Sequence, residues 1–225
     1  MGSDVGQVEL ARFLDRWTME HVRVFPHPVE RVWRAITQPD LVEAWFGPVE
    51  FDLRVGGHAR FGRADAPWWT STITRLEPER LIEFSGAMPA PSAGFIRYEL
   101  TPVPEGCRLV FTQRFEPRDH FDAVPSDLGG DLPAGEGTPW MPGFVGGWHD
   151  FLDRLGRTLD GKVATEPISS LFARLVDHAL ARLVAEKDLS SELAGEMRDM
   201  FASTERWNDL NEVYRRHIRD TIPPT

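Results

Sequence analysis

Apolar positions along the chain change period several times, and each change marks an element. His21-Val22-Arg23-Val24-Phe25 alternates as a strand does, and Pro26 with Pro28 ends it. Over Val29 to Ile36 the apolar residues Val29, Val32, Trp33 and Ile36 fall at helical spacing, just after Pro28, where a first turn tolerates proline. Thr37-Gln38-Pro39-Asp40 breaks this helix and opens a second, Leu41 to Trp45, which Gly47-Pro48 closes. Strand-like segments then recur about every ten residues, the spacing of an antiparallel sheet. They are Val49–Val55, His58–Arg63, Trp68–Leu76, Leu81–Ser85, Phe95–Thr101 and Arg108–Phe115. Gly56-Gly57, Glu77 to Arg80 and Pro102 to Gly106 supply the turns.

Ile96, Tyr98 and Leu100, and then Leu109, Phe111 and Phe115, put an apolar face on their strands. Arg97, Glu99, Arg108, Thr112 and Arg114 take the other face, which predicts a half-buried sheet. Residues 118–143 are rich in Gly, Pro and Asp and read as a long loop, either a lid or a disordered segment. From Phe144 to Leu159 one helical stripe runs through Phe144, Trp148, Phe151, Leu152, Leu155 and Leu159, with Gly161 as its stop. Residues 166–225 read as a separate helical unit, and residues 1–19 as an N-terminal extension with a helical turn or two.

Hydrophobic residues make up 41% of the 225 positions, including 8 Trp and 14 Phe but only 2 Tyr, so a sizeable core can be buried. Rings without hydroxyls suit an apolar interior, where each polar atom needs a partner. A net charge of −10 repels phosphate backbones and anionic membrane surfaces, so neither nucleic acid nor membrane is an expected partner. The lone cysteine, Cys107, rules out an intrachain disulfide and a cysteine-based zinc site, in keeping with a reducing cytoplasm. The opening residues lack the basic start and apolar run of a signal peptide, and no window reaches the ~18 apolar residues of a spanning helix.

The run VFPHPVERVWRAITQPDLVEAWFGP, residues 24–48, resembles the opening of START-like (SRPBCC) proteins. More narrowly, it resembles the bacterial family named for homology to the activator of the large heat-shock chaperone ATPase. The carriers are Glu30-Arg31-Val32-Trp33, Pro39 to Phe46, and Asp52-Leu53-Arg54-Val55-Gly56-Gly57. Glu77 to Phe84 is similar to the family's tight hairpin, Gly106 to Thr112 to its late strand, and Gly147-Trp148 with Leu152 and Leu155 to its closing helix. The resemblance spans about residues 20–162; the 118–143 loop is longer than the family pattern, and 166–225 lies outside it. It implies an α+β helix-grip fold, a curved antiparallel sheet wrapped around a long C-terminal helix, with an internal cavity for a small hydrophobic ligand. That fold carries no single chemistry with it.

For the cavity that the resemblance implies, the candidate ligand-binding residues are Trp45, Phe61, Trp69, Phe84, Tyr98, Phe111, Trp140, Phe144, Trp148 and Phe151, with plain core packing as the competing role. Gln113 shares the Phe111 face, and a buried amide there needs partners from protein or ligand. His149 and Asp153, four apart, read as a solvent-facing ion pair rather than as base and orienter. His120 with Asp119 and Asp122 is weak as a metal site, Cys107 has no histidine nearby in sequence, and Gly56-Gly57 precedes no helix that would bind phosphate. No cofactor, metal or catalytic group is assigned.

Three functions stay open on this reading. The first is binding of a small hydrophobic or aromatic molecule in the cavity, with 118–143 as lid and Trp140 as its inward ring. The second is a cyclase- or hydratase-like enzyme in the same cavity, which needs a buried acid–base group. The third is a chaperone-regulator-like interaction module. A homodimer through the thin helical unit 166–225 is a further expectation.

Overall fold

The computed structural model describes residues 10–15, 17–63, 66–87, 90–115, 142–162, 213–214, 216–217 and 220–221. Eight strands form one antiparallel sheet: β1 (Arg12–Asp15), β2 (Thr18–Phe25), β3 (Val49–Phe51), β4 (His58–Arg63), β5 (Ala66–Glu77), β6 (Leu81–Ala87), β7 (Ala90–Val103) and β8 (Gly106–Arg114). Their spatial order is β1-β2-β8-β7-β6-β5-β4-β3. Helices α1 (Val29–Thr37) and α2 (Pro39–Glu43) carry the chain from β2 to β3 at the far edge, and α3 (Pro142–Leu159) follows the sheet. This is the α+β helix-grip arrangement that the resemblance implies.

Local sequence explains the boundaries. Proline at the start of α2 supplies the helical φ and lacks only an N–H that the first turn leaves unpaired anyway. β3 is shorter than the alternation predicts, because Asp52 to Gly57 folds into a tight turn, in which Arg54 N–H donates to the Asp52 carbonyl and Gly57 N–H to that of Arg54. Gly56 sits there at φ 81°, a conformation that a side chain disfavours. Register shifts at Phe61/Gly62, Ile73/Arg75 and Ser85/Ala87 bend the strands, as bulges do.

The helical turns expected before residue 17 are not what forms at 12–15. That segment is strand β1, whose Arg12 and Phe13 pair with Glu20 and Met19. The unpaired edge of β2 offers it backbone partners, which outweigh a weak helical pattern of four or five residues.

Two compact units divide the chain. One holds Glu9–Asp119 and Phe151–Ala164; the other holds Met1–Val8, His120–Asp150 and Thr165–Thr225. In the first, the second half of α3 lies against β2 and α1. Arg23 on β2 pairs with Asp153 at 3.3 Å, Arg31 on α1 donates to the Leu159 carbonyl, and His27 meets Asp160 at 3.0 Å. Gly156 leaves room for the Phe25 ring: a Cβ there would stand 3.3 Å from it. Of the second unit, the first half of α3 and six positions between 213 and 221 are described. Most of the 118–143 loop and of the 166–225 unit, with the dimer expected through it, lies outside the described residues.

Candidate functional site

Paired residues of neighbouring strands share a face, so the register fixes which side chains look inward. β2 presents Met19, His21, Arg23 and Phe25, opposite Gln113, Phe111, Leu109 and Cys107 of β8. On β8 these align in turn with Ile96, Tyr98, Leu100 and Pro102 of β7, and Phe84 of β6 pairs with Ile96 and Ile73. Nearly all of these side chains are buried.

A row of rings crosses this interior. Trp45 meets Phe46 at 5.6 Å, Phe46 meets Phe61 at 5.6 Å and Phe151 of α3 at 4.7 Å, and Phe61 meets Phe84 at 5.8 Å. It continues from Phe84 to Tyr98 at 6.4 Å, to Phe111 at 5.1 Å and to the His21 imidazole at 6.1 Å. Most contacts are edge-on or tilted, the arrangement that the ring quadrupole favours. Phe51 flanks Phe61 and Phe84 at 5.7 and 5.8 Å.

Of the residues nominated from sequence, Trp45, Phe61, Phe84, Tyr98, Phe111 and Phe151 therefore form one connected group. Trp45 also has a structural task, its indole N–H donating to the Ala35 carbonyl at 2.9 Å. Trp148 is buried. The Trp69 backbone pairs with Phe61 in β4, but its side chain and that of Phe144 lie outside the described residues, as does Trp140 altogether. Phe46, Phe51 and His21 were missed. His21 shares parity with Phe25, and that was its one signal.

Polar groups on this face are few. Burial alone pushes the Tyr98 phenol above its usual range, so it stays a neutral hydroxyl at physiological pH. Tyr98 is buried between Phe84 and Phe111. Gln113 is fully buried, and among the described residues neither Oε1 nor Nε2 has a hydrogen-bond partner. On the opposite face Arg97 binds Glu83 at 2.6 Å and lies over the Phe95 ring at 4.5 Å, as its parity predicts.

One pairing expected from sequence is overturned. His149 and Asp153 are not a solvent-facing pair: Asp153 binds Arg23, and buried His149 shares a 2.7 Å hydrogen bond from Nδ1 with the Tyr214 hydroxyl. Those partners lie 130 and 65 residues away, out of reach of any helical-spacing argument. Cys107 is a buried free thiol that burial holds in its protonated form. Among the described residues no three His, Cys, Asp or Glu side chains cluster as metal ligands, and no helix is long and apolar enough to cross a membrane.

The family model for Activator of Hsp90 ATPase homolog 1-like proteins matches residues 26–160, from the end of β2 to the end of α3. The chain belongs to this family. No curated protein matches it. Among solved structures it is similar to conserved protein EF2215 from Enterococcus faecalis, with 22% identity, a TM-score of 0.51, and coverage of 78% of this chain and 90% of that one. It is also similar to CalU16 from Micromonospora echinospora, at 17% identity, TM-score 0.51, and 91% and 84% coverage. DynU16, from the dynemicin biosynthetic locus, is 24% identical at TM-score 0.51, covering 66% of this chain and 49% of its own. At these identities the Activator of Hsp90 ATPase homolog 1-like family shares the fold with them, and the argument about ligands rests on this chain's own residues.

Proposed function

We propose that the interior face binds a small hydrophobic or aromatic molecule, enclosed between the sheet and α3, in a cytoplasmic protein. The observation that carries this is the connected row of rings on the interior face, from Phe46 and Phe61 through Phe84 and Tyr98 to Phe111. On this reading the guest lies in a gap between those rings and Phe151, against the Tyr98 ring. Rings on both sides of that gap suit a flat apolar guest. Phe61, Phe84, Tyr98, Phe111, Gln113 and Phe151 are its proposed lining, with Trp45 behind them and Trp69 as a further candidate.

The test is a thermal-shift screen with planar aromatics of two to four rings, repeated with Tyr98→Trp, which fills the gap. Ligands that bind only the folded form raise Tm with concentration, by about 2.7 kcal/mol of stabilisation at a hundredfold excess over Kd. The reading expects a shift in the parent protein and none in Tyr98→Trp. No shift from any aromatic, or equal shifts in both proteins, contradicts it.

A second reading, turnover of a cyclase or hydratase kind, gains one observation: a buried imidazole, His21, ends the ring row. Such chemistry needs a titratable group beside the guest. It expects an NMR titration of His21 that moves when the guest enters, and a ligand-independent titration removes the support.

A further inference from the structure

We propose that Gln113 is the polar anchor of this interior, and that its guest is a neutral aromatic molecule bearing a carboxamide-type group. This rests on the binding reading above and names the chemistry of the guest. The amide is fully buried on the interior face, and among the described residues neither Oε1 nor Nε2 has a hydrogen-bond partner. Its cross-strand neighbours are Met19 on β2 and Ile96 on β7; Phe111 shares its face on β8, and buried Phe115 follows just past the end of that strand. None of the four carries a strong donor or acceptor. The sheet therefore surrounds an amide with apolar side chains and leaves its hydrogen bonds unmade, an arrangement that disfavours the free state.

The group that satisfies a primary amide best is one with an acceptor and a donor side by side. Gln113 can give Nε2–H to a guest carbonyl while Oε1 accepts from the guest N–H. A carboxamide or lactam meets both at once. An ionised carboxylate does not: it has no proton for Oε1, and it would lose its hydration among Met19, Ile96, Phe111 and Phe115. A purely apolar guest fills the gap and leaves the amide unpaired. A site with buried polar groups discriminates most sharply against analogues that lack the matching group.

The probes are 2-naphthamide, 2-naphthoate and 2-methylnaphthalene, which share a ring system and differ at one substituent. They are titrated at pH 7 into the full chain and into Gln113→Met, of similar volume, and Gln113→Leu. The proposal expects the amide to bind the parent about tenfold or more tightly than the methyl compound, as two net hydrogen bonds require. It expects naphthoate to be weakest, and both variants to bind amide and methyl compound equally. Each variant, freed of an unsatisfied amide, should also melt higher than the parent when empty. Methyl compound and amide binding equally to the parent overturns the anchor while leaving the interior site standing. Preference for the amide that survives in both variants overturns it too. If none of the three binds, the binding reading itself fails.

Discussion

Asp153→Ala is expected to unlock α3 from the sheet. The Asp153 carboxylate meets the Arg23 guanidinium at 3.3 Å, with side chains 14% and 9% exposed. Arg23 is further held by donating from Nη1 to the Val22 carbonyl at 3.0 Å. An exposed pair of this kind contributes at most ~1 kcal/mol. Removing one partner of a largely buried ion pair costs about 3–5 kcal/mol. For a chain of this size each kcal/mol lowers Tm by about 2–4 °C, so a loss of at least about 6 °C is expected. The assay is urea unfolding followed by tryptophan fluorescence, beside a thermal scan. Arg23→Met with Asp153→Leu is the control: an apolar pair of similar volume should restore the parent's stability or exceed it. A single variant within about 1 kcal/mol of the parent refutes the reasoning, because the pair then behaves as a surface contact. A double variant as unstable as the single one refutes it differently, by placing the loss outside the stranded charge.

Two further outcomes follow from the titratable groups. Cys107 should stay unreactive toward a thiol reagent at pH 8 in the native protein and react with one equivalent in denaturant, since burial keeps its thiol protonated and inaccessible; fast native labelling contradicts this. The Asp160 carboxyl is held below its ordinary value, first by the His27 hydrogen bond and then by that of Lys162. Its folded form binds fewer protons than the unfolded one, so its stabilisation is present above about pH 4 and lost as pH falls through the lower folded value. Carboxyl-carbon NMR should give a midpoint below that of a free aspartate, and His27→Ala should raise it; an unshifted midpoint in the parent sinks the contact.

Much of the sheet was legible because its middle strands obey a simple rule. Ile96, Tyr98 and Leu100 alternate with Arg97 and Glu99, and the register places them as that alternation requires. Gln113 could be put inside by parity alone. Strand β2 was harder. Val22 and Val24 look like the buried face, yet Val24 is 51% exposed, while His21 and Arg23 point inward. What decides this is Asp153, 130 residues away, which gives Arg23 a buried partner that no local window contains. Strand β1 was invisible for a similar reason: four residues gain their order from β2, and not from their own pattern. Phe46 escaped notice because two adjacent rings on a helix normally diverge. Here α2 ends at Glu43, and the turn that follows buries Trp45 and Phe46 together.

The central claim is that the guest lies among the interior rings, and intermolecular NOEs test it most directly. A protein with protonated Phe and Tyr in a deuterated background would be titrated with the tightest-binding naphthalene probe. The account expects saturable NOEs from the probe to Phe84, Tyr98 and Phe111. Saturable binding whose contacts avoid those rings and fall on exposed Val24, Leu53 and Val55 would contradict it.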